Sequence, residues 1–180
     1  MVRPDQLCLD HLGDLPTQSQ TGSAWTYADY QVGERIYHRD GHTITDGDHM
    51  GFTRLFQNSA RVHFDALHTD GQPLVFGGYS MSIGYAQMLN GMDNRMGLAA
   101  INAGTHALPV HAGDTLYSMT EVLQVDPLGD APVGAIRCRL LVCKNHDPAD
   151  HSDAPSVVLD LDLWELVPKI LDPTAPRMAP

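Results

Sequence analysis

Cations are scarce in this chain. Its 180 residues include 11 Lys or Arg against 22 Asp or Glu, a formal net charge of −11. That balance argues against nucleic acid or anionic lipid as a main partner. An anionic ligand remains possible, because a few local donors or a helix N-terminus can hold one. Cysteines are few and odd in number: Cys8, Cys138 and Cys143, with no CxxC. This points to reduced thiols in a cytoplasmic setting rather than a disulfide scaffold. No apolar run approaches the roughly 18 residues of a membrane span. The opening MVRPDQLCLDHLGD lacks the apolar core of an export signal. Neither HxH nor HExxH spacing occurs among the ten histidines, which speaks against a zinc site.

What is present suits a globular fold. The chain is 43% hydrophobic and 18% charged, and its length fits one domain with a sizeable core. Residues 1–24 are polar and turn-rich and read as an extended N-terminal arm. Residues 25–168 read as a single domain and 169–180 as a Pro-rich tail. Within the domain, short extended segments broken by Gly33 and Asp40-Gly41 come first. Thr45 or Asp46 then caps a helix in which Met50, Phe52, Leu55 and Phe56 recur at helical spacing. From Phe76 to Met92, apolar or small residues occupy nearly every side, the pattern of a buried helix. Its Gly77, Gly78, Ser80, Ser82, Gly84 and Ala86 allow another backbone to come close.

The rest alternates. In VGAIRCRLLVCKN, Ile136, Cys138, Leu140 and Val142 share one face and Arg137 and Arg139 the other. In SVVLDLDLWELV, Leu159, Leu161 and Leu163 point inward and Asp160 and Asp162 outward. With TLYSMTEVLQVD these make three long antiparallel strands joined by short loops. One buried helix needs a sheet curved around it. The expected class is therefore α+β, an antiparallel sheet wrapped on a long helix, which is the hotdog fold.

Three segments resemble a known family. YADYQVGERIYHRDGHTITDGD is similar to an F-x-D-x-x-V-G opening followed by T-x-T-x-x-D. FTRLFQNSARVHFDA is similar to a hydratase segment, and LPVHAGDTLYSMTEV to a P-V-x-x-G-D-T-L strand start. Spanning roughly residues 27 to 124, they resemble MaoC-like hotdog proteins of the R-specific enoyl-CoA hydratase type. The QN-S-x-x-V-H-F-D wording is most similar to the branch with mesaconyl-CoA and itaconyl-CoA hydratases.

That resemblance implies addition of water across the double bond of an enoyl-CoA, with the CoA thioester as substrate and no further cofactor. A branched or dicarboxylic acyl group such as mesaconyl is implied. The chemistry needs a positioned water, a proton for the α-carbon and donors for the enolate oxygen. His63 stands at the family's histidine position. Asn58, five residues earlier, stands where the family has Asp, and an amide orients water without taking its proton. Three accounts of Asn58 follow. His63 acts alone while Asn58 holds the water or thioester; Asp65 or Asp48 serves instead; or hydration is lost. Acyl-CoA thioesterase activity and a catalytically impaired acyl-CoA-binding module are the alternative functions.

The oxyanion donors are expected in the first turn of the buried helix. Gly77 is carried over as thioester donor and Gly78 lies beside it. The pair equally suits tight packing. Ser80 and Ser82 are secondary candidates. Arg61 could hold a substrate carboxylate or CoA phosphate, or extend into solvent. Asp65 reads as a local brace, and His38, His42, His49, His106 and His111 as structural or exposed. Arg137, Arg139 and Lys144 read as a solvated strand face, with a place near the mouth of the CoA site as the lesser alternative. A lone hotdog leaves a sheet edge and half a site open, so a homodimer or higher homo-oligomer is implied, with no nucleic acid or membrane partner.

Overall fold

The computed structural model describes residues 1–10, 12–150 and 156–171. A short helix α1 (Gln18–Thr21) precedes β1 (Arg35–Thr43), α2 (Asp46–Leu55) and α3 (Gly77–Gln87). Strands β2 (Gly97–His106), β3 (Thr115–Asp126), β4 (Val133–Lys144) and β5 (Val157–Pro168) follow. They form one five-stranded antiparallel sheet in the order β1-β3-β4-β5-β2. The strand alternation holds. Ile136, Cys138, Leu140 and Val142 of β4 join Leu159, Leu161 and Leu163 of β5 in the core. Arg137 and Arg139 pair with Asp162 and Asp160 on the outer face. Each strand thus presents one row inward and one outward, as a period of two requires.

Helix α3 lies in the hollow of the sheet. Its face of Ser80, Ile83, Gly84 and Gln87 is buried. Gly84 sets the depth: a Cβ there would overlap the Val142 methyl of β4. The loss of helix propensity at this glycine, about 1 kcal/mol, is exchanged for direct helix-to-sheet contact. Burial is not all round, as the composition suggested. Ser82, Ala86 and Leu89 are exposed, because the sheet wraps only one side of the helix.

The Asp40-Gly41 break is a bulge within β1, not a gap between strands. His38 faces Ser118 and His42 faces Leu116, so Arg39, Asp40 and Gly41 oppose Tyr117 alone. Thr45 caps α2, its hydroxyl accepting from the Asp48 amide at 3.3 Å. This helix buries His49 and Thr53, while Leu55 and Phe56 are 75% and 59% exposed.

The N-terminal arm packs on the sheet. Val2, Leu7, Leu9, Leu12 and Leu15 pack on Val133, Ala135, Trp164 and Leu166. Trp164 Nε1 donates to the Val2 carbonyl at 3.1 Å, and the Val2 amide donates to Asn102 Oδ1 at 2.7 Å. The outer face of β4 and β5 carries apolar residues that need cover, and leucines spaced through a polar segment supply it. A cavity of about 620 Å³ lies between this arm and the outer sheet face, away from α3. Of the Pro-rich tail, residues 172–180 lie outside the described residues. No described helix is long and apolar enough to cross a membrane. The described cysteines are free, Cys8 exposed and Cys138 and Cys143 buried.

Candidate active site

Between α2 and α3 the chain makes a sharp return over the helix N-terminus. Gln57 takes a positive φ of 53°, and the Asn58 amide bonds back to the Thr53 carbonyl at 3.1 Å. The Asn58 Oδ1 then accepts from the Ala60 amide at 2.9 Å, a local turn that Asn and Asp side chains favour. A 3₁₀ turn, Arg61–His63, follows. The strand-like stretch before α3 locks it in place: the Leu74 amide donates to Val62 and the Val75 amide to Val110, each at 2.8 Å.

This local order fixes His63. Its Nδ1 lies 2.8 Å from the Leu74 carbonyl oxygen. A carbonyl only accepts, so Nδ1 carries the proton, and in the neutral ring Nε2 is left with its lone pair. The ring is half-buried and sits 5.5 Å from the Phe76 ring at the start of α3. Among the described residues His63 is thus tethered at one nitrogen and without a hydrogen-bond partner at the other, an arrangement compatible with a general base. No hydrogen bond joins Asn58 to His63; the Asn58 amide group keeps its Nδ2 donors unengaged among the described residues.

The nearby carboxylates have other partners. Arg61 Nε and Nη2 both bond Asp65 Oδ2, at 2.9 and 2.7 Å. These bonds hold the Asp65 carboxyl below the usual carboxylate range. Asp65 Oδ1 also accepts from the His68 amide, so Asp65 is the local brace and Arg61 its counter-ion. Asp48 Oδ2 accepts from the Thr45 hydroxyl at 2.6 Å. His49 is fully buried, with neither ring nitrogen hydrogen-bonded and Asp46 3.6 Å away. Burial pushes its pKa down, against the opposing pull of Asp46.

Helix α3 opens with Phe76 as its N-cap. The amides of Gly77 and Gly78 stand in the first two helical positions, where no intrahelical acceptor exists. Each glycine also receives a ring. A Cβ at Gly78 would fall 2.9 Å from the Phe76 ring, and one at Gly77 would fall 2.5 Å from His106 Cε1. Close packing and free amides therefore coincide here. Ser80 is 3% exposed on the buried face, and the Ser82 hydroxyl donates to the Gly78 carbonyl at 2.9 Å. Aromatic rings wall the helix start: Phe52 lies 5.0 Å from Tyr79 and 6.1 Å from Phe76. A cavity of about 440 Å³ runs along α3 from His42 and Tyr79 to Gln87. Among the described residues no group of His, Cys, Asp or Glu is arranged to hold a metal ion.

Of the five histidines read as structural or exposed, His38 fits the structural role best. It is buried, bonded to the Asn90 carbonyl at 2.6 Å and the Thr120 hydroxyl at 2.8 Å. His111 Nδ1 is 3.3 Å from the Pro73 carbonyl. His106 differs: it borders the site. No local pattern marks it, since only the sheet register carries it to a helix that starts 29 positions earlier. Arg137, Arg139 and Lys144 are each engaged by an Asp.

No family model matches the chain. It is 43% identical over 155 residues to mesaconyl-CoA hydratase of Cereibacter sphaeroides, covering 82% of this chain and 45% of that protein. It is 40% identical over 164 residues to beta-methylmalyl-CoA dehydratase of Chloroflexus aurantiacus, covering 84% of this chain and 46% of that protein. A solved MaoC domain dehydratase structure from Chloroflexus aurantiacus superposes with a TM-score of 0.83 and 37% identity, over 93% of this chain and 52% of that one. The chain thus spans about half the length of these three relatives.

Proposed function

Because the chain belongs to the MaoC-like hotdog family, we propose that it is an acyl-CoA hydratase, working in either direction on an enoyl-CoA. Its similarity to a mesaconyl-CoA hydratase favours a branched or dicarboxylic acyl group. The observation that carries the reading is His63, held at Nδ1 by the Leu74 carbonyl and free at Nε2, beside the open amides that begin α3.

In this reading the thioester oxygen lies against the Gly77 and Gly78 amides, and the acyl chain extends past Tyr79 into the cavity along α3. His63 Nε2 takes a proton from water as the water oxygen bonds the β-carbon. The double-bond electrons move to make an enolate, which the helix N-terminus stabilises. His63 then returns its proton to the α-carbon. Asn58 orients the water through its amide. The CoA thioester is the substrate and no other cofactor takes part. The exposed edge of β2 and the bare side of α3 at Ser82, Ala86 and Leu89 favour a second hotdog packed alongside. In solution this would be a homodimer or higher homo-oligomer. Relatives twice as long supply room for the second hotdog within one chain.

The test is to incubate the protein with crotonyl-CoA, mesaconyl-CoA and a saturated acyl-CoA, following enoyl absorbance and free thiol. Loss of enoyl absorbance without thiol supports hydration, and thiol release supports a thioesterase. His63→Ala should lower hydration by roughly 10²-fold or more; survival within tenfold removes His63 from the mechanism. Asn58 in place of a carboxylate favours one second reading, an acyl-CoA-binding module without turnover. Thermal stabilisation by these thioesters with no product would support it.

A further inference from the structure

The sheet brings one more imidazole to the start of α3. His106 ends β2, and its backbone pairs with Leu159 of β5. Its side chain lies on the inner face, two residues past Gly104, where a Cβ would meet the core Leu161 side chain at 2.6 Å. From there the ring reaches over Gly77. A Cβ at Gly77 would fall 2.5 Å from His106 Cε1 and 2.6 Å from Nε2, with Nδ1 farther at 3.1 Å. The Cε1–Nε2 edge of the ring is therefore the part in contact with the first residue of the helix. His106 is exposed, and neither nitrogen has a hydrogen-bond partner among the described residues. A histidine kept only to fill space would not need an open edge; one kept to fix the strand would have an acceptor, as His38 and His111 do.

We infer that His106 is a catalytic donor in the same site, hydrogen-bonding through Nε2–H to the thioester oxygen beside the Gly77 amide. The inference rests on the hydratase reading for its substrate class, acyl-CoA thioesters that pass through an enolate. His63 and His106 then divide the work. His63, tethered on the Phe76 side, moves the proton from water to the α-carbon. His106, on the Gly77 side, loses no proton: it donates a hydrogen bond that strengthens as negative charge moves onto the oxygen. Two donors of different chemistry, a backbone amide and an imidazole, would share one oxygen. Such a donor costs a peptide-only site nothing in geometry, because the absent side chain of Gly77 is what admits the ring. The arrangement also gives the glycine a defined role: any larger residue displaces His106 from the oxygen.

Acetoacetyl-CoA tests this directly, because its enolate absorbs in the near ultraviolet where the keto form does not. The wild-type protein should raise the enolate fraction of bound acetoacetyl-CoA. His106→Ala should lose that signal by tenfold or more, while His106→Gln, which keeps an N–H donor, retains most of it. With a turned-over enoyl-CoA, His106→Ala should lower kcat by roughly 10²–10³-fold with KM within threefold, the scale of one lost oxyanion donor. Gly77→Ala, with His106 intact but displaced, should behave like His106→Ala and serves if that variant does not fold. An enolate signal on wild type without hydration would sink the hydratase reading and leave the His106 role standing. An enolate signal unchanged in His106→Ala, or absent from wild type, overturns the inference.

Discussion

Asn58→Asp asks what the amide costs. The Oδ1 of Asn58 accepts from the Ala60 amide, and a carboxylate can make the same bond, so the turn should survive. If His63 now works with an oriented but untitrated water, Asn58→Asp should raise kcat for hydration tenfold or more, since general-base help is worth roughly 10²–10⁴-fold. An unchanged or lower kcat would mean that the amide is the group this site uses. Arg61 has the opposite expectation. It is committed to Asp65 and exposed, so Arg61→Ala should leave KM for mesaconyl-CoA within threefold of KM for crotonyl-CoA, relative to wild type. A selective loss with the dicarboxylic substrate would restore Arg61 as its anchor. At this scale the sequence told part of the story. The motif singled out His63 and its neighbours because they are local in the chain. It could not show that Asp65 holds Arg61 or that His106 sits on Gly77. The first depends on side-chain rotamers, and the second on a contact that only the finished sheet creates.

Whole elements were easier to foresee than their surroundings. The period of two placed the leucines of β5 and the arginines of β4 on their correct faces, because alternation is a property of the strand itself. The helix from Phe76 was also visible, yet its exposed stripe was not: an apolar or small residue reads the same whether a sheet or solvent faces it. In α2 the apolar spacing pointed to Phe52, Leu55 and Phe56, while the buried residues are His49 and Thr53. The aromatic residues instead gather over the start of α3, Phe52 lying 4.3 Å from Phe56. The contact of Gly84 with Val142 is the element-scale feature most open to test. Gly84→Ala should destabilise the fold by about 1–3 kcal/mol through overpacking, despite the better helix propensity of Ala. Val142→Ala in the same chain should recover part of that loss, a coupling that urea unfolding of the double-mutant cycle would measure. Additive losses would show that the helix shifts freely on the sheet.

At the scale of the whole molecule, a buried charge sets a pH dependence. Glu165 is fully buried on the inner face of β5, with Arg95 at 3.5 Å and Tyr85 Oη at 3.4 Å, and one carboxyl oxygen has no hydrogen-bond partner among the described residues. Burial raises its pKa from 4.5 to about 7 despite the cation beside it. A carboxyl that binds its proton more tightly when folded adds stability below pH 4.5 and loses that contribution as pH rises from there to about 7. The stability difference between wild type and Glu165→Gln should therefore fall across that interval, as denaturant unfolding at several pH values would reveal. A flat difference would place the titration elsewhere. The arm is the other molecule-scale feature. Its leucines were present in the sequence, but a polar average hid them, and nothing local announced the bare outer face that they cover.

The cations carry a last consequence. Arg3, Arg35, Arg61, Arg95, Arg137, Arg139 and Lys144 are in ion pairs, and Lys169 donates to the Gly129 carbonyl. Among the described residues only Arg39 and Arg54 stand unengaged. A ligand tailed with several phosphates finds little to grip on one copy. If a neighbouring copy lends its own free arginines, ligand affinity and self-association become linked equilibria. Dilution should then weaken CoA thioester binding, and added thioester should shift sedimentation toward the larger species. Affinity that is indifferent to protein concentration would mean that one chain holds the phosphates unaided.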